Sequence, residues 1–154
     1  MGGIVVTIFW FLVVLTPLVF VHEFGHYWFA RRAGVRVEVF SVGFGRELFG
    51  YTDKAGTRWK FSLVPFGGYV KMFGQSDLGP DDDGADMTDA ERAVSFHHKK
   101  LSQKTAIVAA GPLANILFAI SIFTILFATA GQPFTPAQVS EVVPGSAAEV
   151  AGLK

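Results

Sequence analysis

A chain of 154 residues that is 51% hydrophobic, holds 16 phenylalanines and is only 17% charged is too apolar for an ordinary soluble domain. Its 13 basic and 13 acidic residues cancel, so the net charge is uninformative by itself, and no nucleic-acid partner is expected. Cysteine is absent, which excludes a disulfide framework and leaves the redox compartment unread.

The apolar residues gather in two blocks without a charged side chain, Ile4–Val21 and Thr105–Ala130. With the first block continuing to Ala30, both reach the roughly 20 residues that a helix needs to cross the hydrocarbon core of a bilayer. Neither has the polar face of a soluble core helix. The first is not expected to be a cleaved signal peptide, because Met1-Gly2-Gly3 offers no basic segment and Thr16-Pro17-Leu18 no small-residue cleavage site. It runs on through His22–Ala30 to Arg31, with Tyr27 and Trp28 suited to the headgroup boundary and Pro17 expected to bend it. At about 1.5 Å per residue, His26 and His22 would lie roughly 8 to 14 Å inside the membrane from Arg31.

Between the spans the pattern changes to strands. Val35, Val37 and Val39 alternate with Arg36 and Glu38, and Asp53-Lys54-Ala55-Gly56 predicts a turn joining 47–52 to 57–63 in a hairpin. Pro65-Phe66-Gly67-Gly68 predicts a second break before a short strand, Tyr69–Met72. Gly79–Asp89 is an acidic connector poor in apolar residues, and Thr88-Asp89-Ala90-Glu91 has the form of a capping box opening a surface helix toward the second span. His97 and His98 are read as solvated helix residues beside Lys99 and Lys100. In the second span Gly111 and Asn115, like Ala110 and Ala114, stand four apart, a spacing that lets helices approach closely. Beyond it come a strand-like 138–143, a Pro144-Gly145-Ser146 turn and a helical Ala147–Ala151, too little for a core.

Every Lys and Arg except Lys154 falls between Arg31 and Lys104. Basic residues near span ends mark the cytoplasmic side, so 31–104 is expected inside and both flanking termini outside. The expected fold is a polytopic α-helical membrane protein. Transmembrane helices at 4–30 and 105–130 would flank a β-rich, membrane-associated region at 31–104, with a further domain beginning at 136–154.

Chemistry concentrates in His22-Glu23-Phe24-Gly25-His26, an HExxH pattern. At i and i+4 on a helix the two imidazoles share one face, as two ligands of one tetrahedral Zn²⁺ require. Glu23 beside them is placed to take a proton from a water that the metal activates and to return it to a leaving amine. The bland alternative, polar residues tolerated near a helix end, leaves three ionisable groups in an apolar span without a reason to be there. Two histidines one turn apart cannot hold opposite faces of one haem iron, and a proton relay gives no reason for the second His. Asn115 is read first as a packing amide and second as a holder of substrate backbone. Gly67 and Gly68 are read as turn glycines, with a substrate-binding strand edge as the functional alternative.

Taken in order, HExxH, Arg31-Arg32-Ala33-Gly34-Val35, Gly43-Phe44-Gly45, Pro65-Phe66-Gly67-Gly68-Tyr69-Val70-Lys71-Met72 and Ala109-Ala110-Gly111-Pro112-Leu113-Ala114-Asn115 make the chain resemble the site-2 protease family of intramembrane zinc proteases. The resemblance covers nearly the whole chain. It implies that the region near Pro65–Met72 is a β-loop dipping into the membrane beside the active site, and that 138–154 opens a PDZ domain outside the cytoplasm. It also implies cleavage of single-pass membrane proteins in the bacterial inner membrane, typically anti-sigma factors in an envelope stress response. The family's third zinc ligand is an Asp, followed by Gly, in a later transmembrane helix. No such position occurs here, since Asp83-Gly84 lies in the acidic connector. The chain is therefore expected to be an N-terminal part, inactive alone. The competing expectation, from another class, is a non-catalytic membrane adaptor that binds single-pass helices.

Overall fold

The computed structural model describes residues 2–75, 87–131 and 142–152. Most of the acidic connector, Asp83-Gly84 included, and residues 138–141 lie outside them.

The long helix α1 runs over Gly2–Arg32, taking in the first apolar block, Pro17 and the HExxH segment without interruption. Its C-terminal turn holds Arg31 and Arg32, where cations complement the helix dipole. The chain then reverses at Gly34 and enters a sheet built from two long strands, β1 at Val37–Thr52 and β2 at Arg58–Met72.

Each strand doubles back, so two strands make four rows. Glu47–Thr52 pairs antiparallel with Arg58–Ser62 as the predicted hairpin, and Val39–Val42 pairs antiparallel with Gly68–Lys71. Between those rows Val39, Phe40, Ser41 and Val42 also face Arg58, Trp59, Lys60 and Phe61, with numbers that rise together. The fold-over of β1 uses Gly43 and Gly45, at φ of 90° and 83°, a region that costs a residue with a Cβ. A side chain at Gly43 would also press within 2.9 Å of the Ser62 and Val64 carbonyls.

The hairpin tip is held by Asp53. Its Oδ1 accepts from the Ala55 and Thr57 amides at 2.9 Å, and its Oδ2 accepts from Trp59 Nε1 at 2.9 Å. The Trp59 bond foremost, with those two amides, holds the Asp53 carboxyl below its ordinary range. Phe40, 1% exposed, stacks on Trp59 with centroids 4.4 Å apart and meets Phe20 and Tyr27 of α1 edge-on. These aromatic contacts dock the sheet on α1.

Two expectations are corrected. Pro65-Phe66-Gly67-Gly68 does not break the strand, because β2 continues through it to Met72. The register passes from Phe44↔Val64 to Val42↔Gly68, so Pro65, which has no N–H to give, falls in the stretch between. The capping box at Thr88 and Glu91 forms as read, but its helix α2 is only Asp89–Val94. His97 and His98 stand in a turn after it, not in a helix, with His98 Nδ1 3.3 Å from Ser95 Oγ.

The second long helix, α3, covers Leu101–Ala130, with Pro112 inside. Both α1 and α3 are long and apolar enough to cross a membrane. Ala30 of α1 and Ile107 of α3 join Val35, Val37 and Met72 in a small core. Met1–Ser121 is one compact unit and Ile122–Lys154 another. In the second unit Pro144-Gly145 turns the chain as expected, and Ser146 caps the short helix α4, Ala147–Val150. Val142 and Val143, from the strand-like stretch, are not in a strand.

Candidate metal centre

The HExxH residues occupy the half of α1 against which both the sheet and α3 pack. Gly25 is what permits the helices to meet there. A Cβ at Gly25 would overlap the Ala110 carbonyl oxygen and come within 2.9 Å of Ala114 Cβ. Close approach brings His22 and His26 onto the α3 row Ile107, Gly111 and Asn115, spaced four residues apart and so stacked along one face.

Each member of that row meets the histidines differently. The Ile107 carbonyl lies 2.8 Å from His26 Nδ1. A carbonyl only accepts, so His26 Nδ1 carries the hydrogen and Nε2 presents a lone pair. His22 Nε2 lies 3.2 Å from that atom. Two nitrogens bonded to one tetrahedral zinc at about 2.0–2.1 Å stand about 3.3 Å apart, which the observed separation matches. Gly111 leaves the space between the two rings and α3 open: a Cβ there would overlap His26 Nε2 and lie 2.9 Å from His22 Nε2. Asn115 Nδ2 sits 3.3 Å from His22 Nδ1. The donor set therefore fits two ligands of a zinc ion. No group of three His, Cys, Asp or Glu side chains converges among the described residues.

Glu23 lies between two cavities. One, of about 430 Å³, is lined by His22, Glu23, Gly67, Gly68, Asn115 and the apolar side chains of Leu15, Leu18, Val19, Phe44 and Phe66. The other, of about 230 Å³, holds Glu23, His26, Gly68, Met72 and Ile107 among its walls. His22, Glu23, His26, Gly67, Gly68 and Asn115 are thus brought together around these two cavities. Gly68 touches α1 directly, since a Cβ there would meet Val19 Cγ1 at 2.9 Å and Glu23 Cγ at 3.1 Å. Gly67 lies under the Phe44 ring, and both glycines belong to β2 rather than to a turn. A larger apolar cavity of about 540 Å³, between Pro17, Phe20, Phe40, Trp59 and Phe118, includes none of the HExxH residues.

The model of peptidase family M50 matches residues 10–151. The chain belongs to peptidase family M50. It is 51% identical over 146 residues to a protein of Rhizobium meliloti provisionally named a zinc metalloprotease, covering 93% of this chain and 39% of that protein. A Rickettsia conorii protein of the same provisional name is 45% identical over 94% of this chain and 39% of its own length. The regulator of sigma-E protease RseP of Salmonella typhimurium is 43% identical over 93% of this chain and 30% of its own length. The chain thus spans well under half of these relatives.

Two residues that shape this candidate site carry no functional signal of their own in the sequence. The spacing of Gly111 signals helix packing alone, and the Ile107 carbonyl carries no side-chain signal at all. The 107, 111, 115 spacing relative to HExxH was the available clue, but it has meaning only once α3 is known to lie on α1.

Proposed function

We propose that this chain is the N-terminal part of an intramembrane zinc endopeptidase that cuts single-pass membrane proteins. The observation that carries the reading is the convergence of His22 and His26 Nε2 atoms, 3.2 Å apart, on a helix apolar enough to cross a membrane. His22 and His26 would hold the ion, and an Asp from a later transmembrane helix of a longer protein, as in the family, would complete the ligand set. A zinc ion so held would polarise the scissile carbonyl and lower the pKa of the attacking water. Glu23 would take the proton from that water and pass it to the leaving amine. Gly67, Gly68 and Asn115 line the same cavity as His22 and Glu23, where an extended substrate backbone would lie.

The one-sided distribution of Lys and Arg supports residence in a bacterial inner membrane with 31–104 in the cytoplasm and both flanks outside. Residues 138–154 would then begin an extracytoplasmic PDZ domain. The named RseP relative supports a regulatory substrate of the anti-sigma-factor kind and a place in a stress response. With two protein ligands of the three usual at catalytic zinc, this chain alone would be inactive. In the full-length protein, Glu23→Gln is expected to keep the zinc and lose cleavage of a single-pass reporter by about 10²- to 10⁴-fold. Full activity in that variant would remove Glu23 from the proton-transfer role.

A further inference from the structure

The two histidines are supported unequally. His26 Nδ1 gives its hydrogen to a main-chain carbonyl at 2.8 Å, which fixes Nε2 as the ligating atom. His22 Nδ1 has only the Asn115 side-chain amide, 3.3 Å away. With the amide nitrogen toward His22, one continuous chain of hydrogen bonds results. Asn115 Nδ2 donates to His22 Nδ1, His22 Nε2–H donates to His26 Nε2, and His26 Nδ1–H donates to Ile107. In that arrangement His22 Nε2 carries a hydrogen and cannot ligate. Asn115 Oδ1, meanwhile, is buried without a partner, the one such side-chain atom among the described residues.

Ligation through His22 Nε2 requires the other tautomer, with the hydrogen on Nδ1. An Nδ1–H pointing at an amide N–H would be donor against donor. Turning the Asn115 amide by 180° about its terminal bond brings Oδ1, now without a partner, onto that hydrogen, at no cost in shape because the two ends are nearly isosteric. We propose that Asn115 is the positioning residue for His22, its amide turning so that Oδ1 accepts from Nδ1–H and holds Nε2 free for the metal. Neither the packing role nor the substrate-holding role read from sequence contains this function. It rests on the reading that His22 and His26 share a zinc ion.

The substitutions that separate these roles are Asn115→Asp, which keeps an acceptor at the same place, and Asn115→Leu, which keeps the volume and removes it. The readout is metal affinity of the detergent-purified full-length protein, by competition of a chelator against Zn²⁺. The visible absorption of the Co²⁺-substituted form provides a second readout. Asn115→Leu is expected to bind metal about 10- to 100-fold more weakly and to change the Co²⁺ spectrum, as outer-shell losses do. Asn115→Asp is expected to bind at least as tightly as the parent. Equal affinity of the Leu variant and the parent would overturn the proposal and leave the zinc site standing, as would an Asp variant as weak as Leu. A parent protein that binds no metal would overturn both.

Discussion

At Gly111 a missing side chain keeps open the space before the two histidines. The position faces two imidazole nitrogens, and a methyl group there would occupy the space in front of both. Gly111→Ala must push each ring away from its present rotamer, and about 30° of displacement costs about 0.5–1.5 kcal/mol per side chain. About a tenfold loss of zinc affinity is expected, measured by chelator competition, with the helical circular dichroism unchanged. Affinity equal to the parent would mean that the rings ligate from another position. Glycine is not otherwise needed at this point for backbone conformation, since Gly111 lies inside α3 with ordinary helical geometry. The motif residues themselves are legible from spacing, because i and i+4 share a helical face whatever surrounds it. The support of the histidines by Ile107 and Asn115 is not, because those partners come from 81 and 93 residues away.

Among the elements, α1 and α3 depend on a short zone of backbone approach. Gly25 stands against the Ala110 carbonyl, which cannot move aside as a flexible side-chain end could. Gly25→Val is expected to cost about 1–3 kcal/mol through overpacking and to lower the midpoint of thermal unfolding in detergent. Gly2→Val, at a position with nothing within 4 Å, should leave it unchanged. Equal midpoints for the two would show that the helices do not meet at Gly25. The two long helices were legible as uninterrupted apolar runs, and the hairpin as a turn with strand residues on either side. The continuous β2 was not. Pro and two glycines in sequence are the ordinary marks of a loop, and only the doubling of β1 explains how the strand accommodates them. The helix after Thr88 stops at Val94 although its capping box forms. The Ser95 amide already bonds back to Arg92, and the next turn is spent on contacts between Phe96 and Phe73.

For the molecule as a whole, the charge distribution yields a test of orientation. This chain contains no cysteine, so single cysteines can be introduced as reporters. In intact cells, Gly131→Cys is expected to react with a membrane-impermeant maleimide and Lys54→Cys to remain unlabelled until the membrane is opened. The reverse pattern would invert the proposed topology. The sequence alone determined the family resemblance, the two apolar helices, the hairpin and the identity of the HExxH residues. These are encoded locally, by hydropathy, by turn chemistry and by the helical repeat. Only the tertiary structure decided that Ile107, Gly111 and Asn115 address the two histidines and that Glu23 stands between two cavities. It also decided that Gly67 and Gly68 sit within a strand beside them. Those relations join residues far apart in the chain, and what brings them within hydrogen-bond distance is helix and sheet packing, which leaves no periodic mark in the sequence.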